Sequence, residues 1–397
     1  MAASEVQGGA IGESIALNAR KYDAIPYTSK PLAQTHPVRL AGLARMFGLE
    51  AASMASARVL EIGCASGGNL IPHAATYPGA EFLGIDISER QVADANERIA
   101  RIGQANVKVR CQSLTDFGPE EGQFDYIIAH GVHSWVPEEV QEALLRVCRQ
   151  NLSPVGIAFI SYNVLPGWRH WQALRDAFLL MIPKKHDEAT RVAMARDLLE
   201  FMRDFTPGSG AHADVLRGSF DMLKGLPDDY IAHEYLEDAN LPISFRDFVT
   251  QAGRHGLAYL GESDHHLMFP ENHGRTFARE VMERTTNDLV SVEQMLDVMT
   301  GRTFRQTLLV ATERNAQIRR KITRESLAGL HYLPQADMRI ERSGPETNLV
   351  DRAGRMLTTT RPVVARAMER IATAFPGTAS FEDCISGCTT DIEREEV

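Results

Sequence analysis

Val59-Leu60-Glu61-Ile62-Gly63-Cys64-Ala65-Ser66-Gly67-Gly68-Asn69 is the stretch that decides the fold, and Leu83-Gly84-Ile85-Asp86 answers it at the end of the next apolar segment. An apolar run of strand length, a glycine turn, a helix, a second apolar run and then a carboxylate form a known order. An open α/β sheet uses it to hold an adenosine group at its topological switch point. The pattern points to a nucleotide-like cofactor.

Two cofactors compete for such a turn. A dinucleotide site needs glycines at the first, third and sixth positions so that backbone and helix N-terminus can approach a pyrophosphate. Those positions hold Gly63, Ala65 and Gly68, a partial match. S-adenosylmethionine has no pyrophosphate but carries an ammonium, a carboxylate and a sulfonium, so its site gains from an acidic residue beside the turn. Glu61 stands there, and Asp86 at the end of the second strand can accept hydrogen bonds from both ribose hydroxyls. The two carboxylates favour the methyl donor. An NAD(P)-dependent oxidoreductase is weakened further because no Tyr-x-x-x-Lys pair follows the strands.

Composition narrows the class. The 397 residues are 44% hydrophobic and 24% charged, ordinary globular values with enough chain to bury a large core. The net charge of −10 is spread along the chain, and the basic clusters Lys184-Lys185 and Arg319-Arg320-Lys321 are short, which argues against a nucleic-acid substrate. Cys64, Cys111, Cys148, Cys384 and Cys388 form no CxxC pair and read as free thiols of a reducing compartment. No run of 18 apolar residues occurs, so a cytoplasmic chain with no membrane partner is expected. His265-His266 lacks a spaced third ligand, and no metal is expected.

Beyond Asp86, Ser88 is placed to cap a helix through Arg101, with Val92, Ala95, Ile99 and Ile102 on one face. Strands are predicted over Val107 to Cys111 and over Phe124 to Ala129, the latter buried on both faces as a central parallel strand is. The latter delivers His130-Gly131-Val132-His133-Ser134-Trp135 to the carboxyl edge, where His130 either lines the site or orients the loop. Pro137 opens another helix, and a fifth strand over Gly156 to Ser161 ends in Tyr162-Asn163 and Pro166-Gly167-Trp168. These groups either shape an acceptor channel or form a packed turn.

A helix over Phe245 to His255, a strand over Gly256 to Gly261 and a last strand over Phe304 to Val310 complete the pattern. Residues 164–242 and 263–302 then read as insertions in the catalytic domain. The linear alternative ends that domain near 163 and places a helical domain after it.

These residues resemble the class I S-adenosylmethionine-dependent methyltransferases that carry the methyltransferase regulatory domain. The resemblance lies in Tyr22-Asp23 with Pro26-Tyr27, in Thr35-His36-Pro37, in the stretch from Glu61 to Asn69 and in His130 to Pro137. It continues through Ser161-Tyr162-Asn163, Pro166-Gly167-Trp168 and Phe304 to Leu309. The group includes enzymes similar to rickettsial lysine methyltransferases that modify outer-membrane proteins, which implies protein lysine as one acceptor class. Ala65 and Ser113 depart from the general methyltransferase pattern, though Ala65 suits this subgroup.

The fold implied is α/β, a class I (Rossmann-like) seven-stranded sheet with helical insertions and a short C-terminal helical region. In order, residues 1–163 form an N-terminal lid and the core, 164–242 a helical insertion and 243–262 a core helix and strand. Residues 263–302 form a second insertion, 303–315 the last strand, and 316–397 a C-terminal accessory region whose completeness is left open.

The implied cofactor-binding set is Tyr22, Glu61, Gly63, Cys64, Ala65, Gly67, Asn69, Asp86, Ile87, Ser113, Leu114 and His130. Ser113 occupies the place where many methyltransferases set an acid against the adenine amino group. It either makes that contact or caps a loop, with Leu114 as an adenine wall. Tyr27, His36, Tyr162 and Trp168 are expected to border the acceptor path. Tyr22 and Tyr27 would fold back as a lid; an aromatic clamp between the N-terminal helix and the sheet is the alternative.

Methyl transfer from a sulfonium is an in-line displacement, so the protein must mainly align the reactants and exclude water. A lysine acceptor, with an ordinary pKa of about 10.4, must first become neutral. The leading expectation is S-adenosylmethionine-dependent methylation of a protein lysine by a homodimer. A small-molecule or natural-product methyltransferase and a noncatalytic cofactor-binding protein are the further alternatives.

Overall fold

The computed structural model describes residues 19–334, 338–351, 354 and 356–388; residues 1–18 of the expected lid and the chain beyond 388 lie outside the described residues. The chain divides into two compact units, one of residues up to Leu43 with Glu50–Gln317, the other of Ala44–Leu49 with Ile318 onward.

The first unit is built on strands β1 (Arg58–Ile62), β2 (Glu81–Asp86), β3 (Val107–Cys111), β4 (Phe124–Ala129), β5 (Leu152–Leu165), β6 (Ile243–Ser244), β7 (Leu257–Glu262) and β8 (Phe304–Ala311). They lie in the order β3-β2-β1-β4-β5-β8-β7, with the short β6 beside β5. Neighbours among β1 to β5 are parallel, and β8 enters antiparallel between β5 and β7, with Phe159 opposite Leu308 and Tyr259 opposite Leu309. Strands on either side of residues 164–242 and 263–302 are therefore members of one sheet.

Parallel strands need crossovers, and helices α1 (Pro37–Met46), α2 (Leu70–Thr76), α3 (Glu89–Ile102) and α4 (Glu138–Asn151) accompany the parallel half. Helix α3 begins where Ser88 Oγ accepts from Gln91 N at 3.1 Å and ends at Gly103, whose φ of 66° suits the left-handed cap. Val59, Leu60, Ile127, Ile128 and Ala129 at the sheet centre are wholly buried, each larger side chain contributing about 1.5–3 kcal/mol.

Helices α5 (Arg169–Met181), α6 (Glu188–Phe205), α7 (Ala211–Leu223) and α8 (Asp228–Tyr235) make up the first insertion. Leu174, Phe178, Val192, Leu199, Leu223 and Ile231 give it a core of its own. Helix α9 (Phe245–Arg254) returns to the sheet, and α10 (Arg275–Arg284) and α11 (Leu289–Thr300) form most of the second insertion.

At the antiparallel end of the sheet Arg305 on β8 is 1% exposed. Its Nε and Nη2 donate to the two Asp297 oxygens at 2.8 Å, and Nη1 donates to Glu262 at 2.9 Å and Glu293 at 3.0 Å. The guanidinium lies 3.8 Å from the Phe245 ring centre. Burial raises the Glu293 and Asp297 carboxyls above their ordinary range, while Arg305 pulls both down.

The second unit corrects the expected helical C-terminal region. It holds an antiparallel sheet of Arg339–Ser343, Glu346–Val350 and Met356–Thr359, a pair of short strands His331–Tyr332 and Ala379–Ser380, and helices Arg324–Leu327, Pro362–Ala374 and Phe381–Ile385. Ser343 pairs with Glu346 around Gly344-Pro345, a two-residue hairpin made possible by the Gly344 φ of 58°. Among the described residues no helix is long and apolar enough to cross a membrane, and no group of three or more His, Cys, Asp or Glu could hold a metal ion.

Candidate active site

The strand order reverses between β1 and β4, the place where open α/β sheets hold ligands, and the loop leaving β1 lies at that point. Gly63 N and Cys64 N both donate to Ile85 O, at 2.9 and 3.2 Å, which pins the turn to β2. The turn needs positive φ at Gly63 (70°) and Gly67 (73°), and Ala65 adopts 48°. A Cβ at Gly63 would also lie 2.8 Å from Val132. Cys64 is buried, and its sulfur occupies the notch left by Gly84, where a Cβ would come within 2.6 Å of it.

Glu61 on β1 stands opposite Gly84 of β2, the strand that Asp86 ends, and the Asp86 charge raises the Glu61 carboxyl. Glu61 is 4% exposed; its Oε1 accepts from Asn69 Nδ2 at 2.9 Å, while its Oε2 is buried without a partner. Burial pushes the carboxyl up to about 7, the Asn69 hydrogen bond opposing and the Asp86 charge adding. Asp86 accepts Ala65 N at 2.8 Å and Ser88 N at 2.9 Å, one on each oxygen. Burial raises it, and these backbone donors hold it down. Each oxygen keeps a lone pair for a hydroxyl. An orphaned acidic oxygen beside a two-acceptor carboxylate suits the ammonium and the ribose diol of S-adenosylmethionine.

A strap from residue 19 to Thr35 covers the loop. Asp23 Oδ1 accepts from Ser88 Oγ at 2.6 Å and Arg90 N at 3.2 Å, Gly68 N donates to Ser29 Oγ at 2.7 Å, and Leu32 N donates to Asn69 Oδ1 at 2.9 Å. The other side of the strap is held by α8 and the turn after it. Lys21 pairs with Glu237 at 2.7 Å, Thr28 N donates to Asp229 at 2.8 Å, and His233 Nε2 meets Ile25 O at 2.7 Å. Tyr22 stacks on His233 with ring centres 4.7 Å apart, and Tyr27 lies 5.9 Å from the same ring. Burial raises both phenols, Tyr27 to about 12. Tyr22 also feels the Asp86 charge.

The remaining expected residues divide. His130 Nδ1 lies 3.1 Å from Ser161 Oγ, which also accepts Gly131 N at 2.9 Å. Burial, helped by Lys30, lowers His130 to about 4, so its ring is neutral. Ile87 is half-buried beside Asp86. Ser113 caps the short turn Leu114–Asp116 by accepting Thr115 N at 3.3 Å, and Leu114 packs in the apolar core with Ile62, Ile85 and Phe117 instead of forming an open wall.

The structure does not gather the expected acceptor-path residues around one channel. Tyr162 is 1% exposed, stacks on Phe248 at 4.0 Å and bonds Thr307 Oγ1 at 3.1 Å. Side chains alternate along β5, so when Ser161 faces His130 its neighbour Tyr162 turns into the opposite layer. His36 packs on α2 against His73 at 4.6 Å and Tyr77 at 5.8 Å. Trp168 is 7% exposed, with Nε1 donating to Asn240 at 2.8 Å. Only Tyr27 of the four joins the strap.

Sequence reasoning missed Ser29 and His233 as members of this region; Asn163, expected either in an acceptor channel or in a packed turn, is buried with its Nδ2 unpartnered. No spacing rule links strap to insertion, so their meeting is a tertiary fact.

Residues 60–158 match the family model of a methyltransferase domain, and residues 227–311 match that of a predicted methyltransferase regulatory domain. An uncharacterized protein of Rickettsia prowazekii is 39% identical over 307 residues, 77% of this chain and 55% of the relative. A second one from the same organism is 35% identical over 236 residues, 59% of this chain and 94% of the relative. The chain thus spans about half the length of the first relative. PKMT2 from Rickettsia typhi, solved also in complex with AdoHcy, is similar in structure. For the first of its two structures the TM-score is 0.78 at 30% identity, covering 92% of this chain and 72% of that one; the AdoHcy complex gives 0.76.

Proposed function

Because the chain belongs to the class I S-adenosylmethionine-dependent methyltransferases that carry a methyltransferase regulatory domain, we propose that it methylates the side-chain amine of a lysine in a protein. The observation that carries this reading is the placement of Glu61, with its unpartnered buried oxygen, and Asp86 on adjoining strands at the carboxyl edge of the sheet. The likeness to PKMT2 and the resemblance to rickettsial lysine methyltransferases support the choice of acceptor.

Bound S-adenosylmethionine supplies a methyl group on a sulfonium, open to in-line displacement. Glu61 would hold its ammonium and Asp86 its ribose hydroxyls. His130, neutral through burial, would add no positive charge to the site. Tyr22 and Tyr27 on the strap, both packed against His233, would help to exclude water.

Calorimetric titration separates the cofactors, with S-adenosylmethionine binding and NAD failing to bind as the expected result. Tritiated S-adenosylmethionine incubated with cell extract should then label the protein fraction, and acid hydrolysis should return the label as methyllysine. Label confined to small molecules would overturn the lysine acceptor. A cytoplasmic location and a homodimer belong to the same proposal, checked by fractionation and light scattering.

A further inference from the structure

The register of the sheet puts a second polar group on the face that carries Glu61. Glu61 on β1 lies beside Ile128 on β4, Ile128 beside Phe159 on β5, and Phe159 opposite Leu308 on β8. Side chains two residues apart on a strand share a face, so Ser161 and Asn163 on β5, and Gln306 and Phe304 on β8, stand on the same face as Glu61. Ser161 is opposite Gln306, and Asn163 is opposite Phe304. The same count includes Asp86, because Glu61 lies beside Gly84 on β2.

Two amides of this group are left unmatched. Asn163 is 2% exposed; its backbone N donates to Ser134 Oγ at 2.8 Å, but among the described residues no hydrogen bond reaches either end of its side-chain amide. Gln306 gives Nε2 to Asp264 at 3.1 Å and keeps Oε1 buried without a partner. Ser161 between them is wholly buried, its Oγ already engaged by Gly131 N and His130. His130, Phe304 and Gln306 are only half-buried, and the His130 and Phe304 rings meet edge-on at 5.9 Å. The end of the strap reaches the same corner, where Ser263 Oγ donates to Gln34 O at 2.6 Å and Ser263 N donates to Gln306 O at 2.8 Å. Buried polar groups are nearly always hydrogen-bonded, so two orphans together point to a ligand. Asn163 and Gln306 are diagonal neighbours across an antiparallel pair, their stems about 7–8 Å apart, a span that two side chains close around one small group.

We propose that Asn163 and Gln306 seat the acceptor nitrogen, each amide oxygen taking one N–H of a primary amine. This rests on the amine reading given above. An amide oxygen accepts an N–H but takes no proton, so the pair suits the neutral amine that attack requires. With both N–H groups held, the lone pair is left for the methyl carbon. The amine reaches the seat after giving one proton to water. Its lone pair forms the N–C bond as the C–S bond breaks, and the electron pair of that bond stays on sulfur. The product leaves as a methylammonium.

The test uses the full chain, tritiated S-adenosylmethionine and poly-L-lysine as probe, with Asn163→Leu and Gln306→Met, each close in volume to the residue it replaces. Each variant should lose about 10- to 100-fold in kcat/KM. Calorimetry should find cofactor affinity within about threefold of wild type in both. Stability supplies the readout that a packing role would not give. Asn163→Leu removes a buried amide without partners, so Tm of the cofactor-free chain should hold or rise by about 1–3 °C. The double variant should lose clearly less than the product of the two single losses, because both amides hold one nitrogen. Near wild-type turnover in either variant, independent losses in the double variant, a fall in Tm for Asn163→Leu or lost cofactor affinity each overturns the seat and leaves the amine reading standing. A wild-type chain that binds cofactor but puts no label on poly-L-lysine overturns the amine reading and the seat with it.

Discussion

Replacing Glu61 by Gln should move stability and cofactor affinity in opposite directions. The carboxyl rises from 4.5 to about 7 in the folded chain, chiefly through burial. At about 1.4 kcal/mol per pH unit that rise amounts to roughly 3 kcal/mol. The sign follows from proton binding. The folded state holds this proton more tightly than the unfolded state, so the stability is fully present below about pH 4.5 and is lost as pH rises through about 7.

A glutamine keeps the acceptor for Asn69 and removes the charge, but leaves an amide N–H without a partner, a cost of about 1 kcal/mol. The net gain for the cofactor-free protein at pH 8 is about 2 kcal/mol. For a unit of roughly 300 residues that is about 3 °C in Tm, fading by about pH 5. Cofactor binding loses a buried charge partner worth about 3–5 kcal/mol, so Kd should rise at least ~100-fold. Thermal melts at pH 5 and pH 8, with calorimetry, check both. A lower Tm at pH 8, or an unchanged Kd, would refute the reasoning.

Gly68→Ala would bring a Cβ to 2.5 Å from the Ser29 carbonyl, displacing the strap at about 1–3 kcal/mol; faster proteolysis within residues 19–36 and weaker cofactor binding are expected. Arg305→Met strands three buried carboxylates and should cost about 3–5 kcal/mol in urea unfolding. That loss should ease as the pH is lowered, because the Glu293 and Asp297 carboxyls, already raised by burial, take up protons. Tyr162→Phe removes the bond to Thr307, worth about 1 kcal/mol, and should leave kcat unchanged. A tenfold fall in turnover, by about the measure that separates alignment from packing, would return Tyr162 to the acceptor path.

The catalytic half of the sheet was legible because its signals are local. Strands β3 and β4 begin and end where apolar pattern and flanking polar residues placed them, and Ser88 caps its helix as its position before the amphipathic run required. Glu61 and Asp86 stood out in the sequence because a carboxylate at the end of a buried strand has few structural uses.

Tyr162 was not. Strand β5 is buried on nearly all of its residues, so no polar alternation told which face each side chain takes. His36 failed for a related reason, since proximity in sequence to the strap did not reveal that its ring turns onto α2. The sheet of the C-terminal unit was not legible because its strands are short, the outer two largely exposed and only Glu346–Val350 buried along most of its length.

The Arg305 cluster changes how the second insertion should be regarded. Two of the three acids that neutralise this guanidinium, Glu293 and Asp297, come from α11 inside that insertion, while the third, Glu262, closes β7. Trimming the chain to a minimal catalytic sheet would strip a monopole of its counterions in the driest part of the molecule. The segment works as a keystone of the domain, and a shortened version would have to re-engineer the strand it was meant to leave untouched.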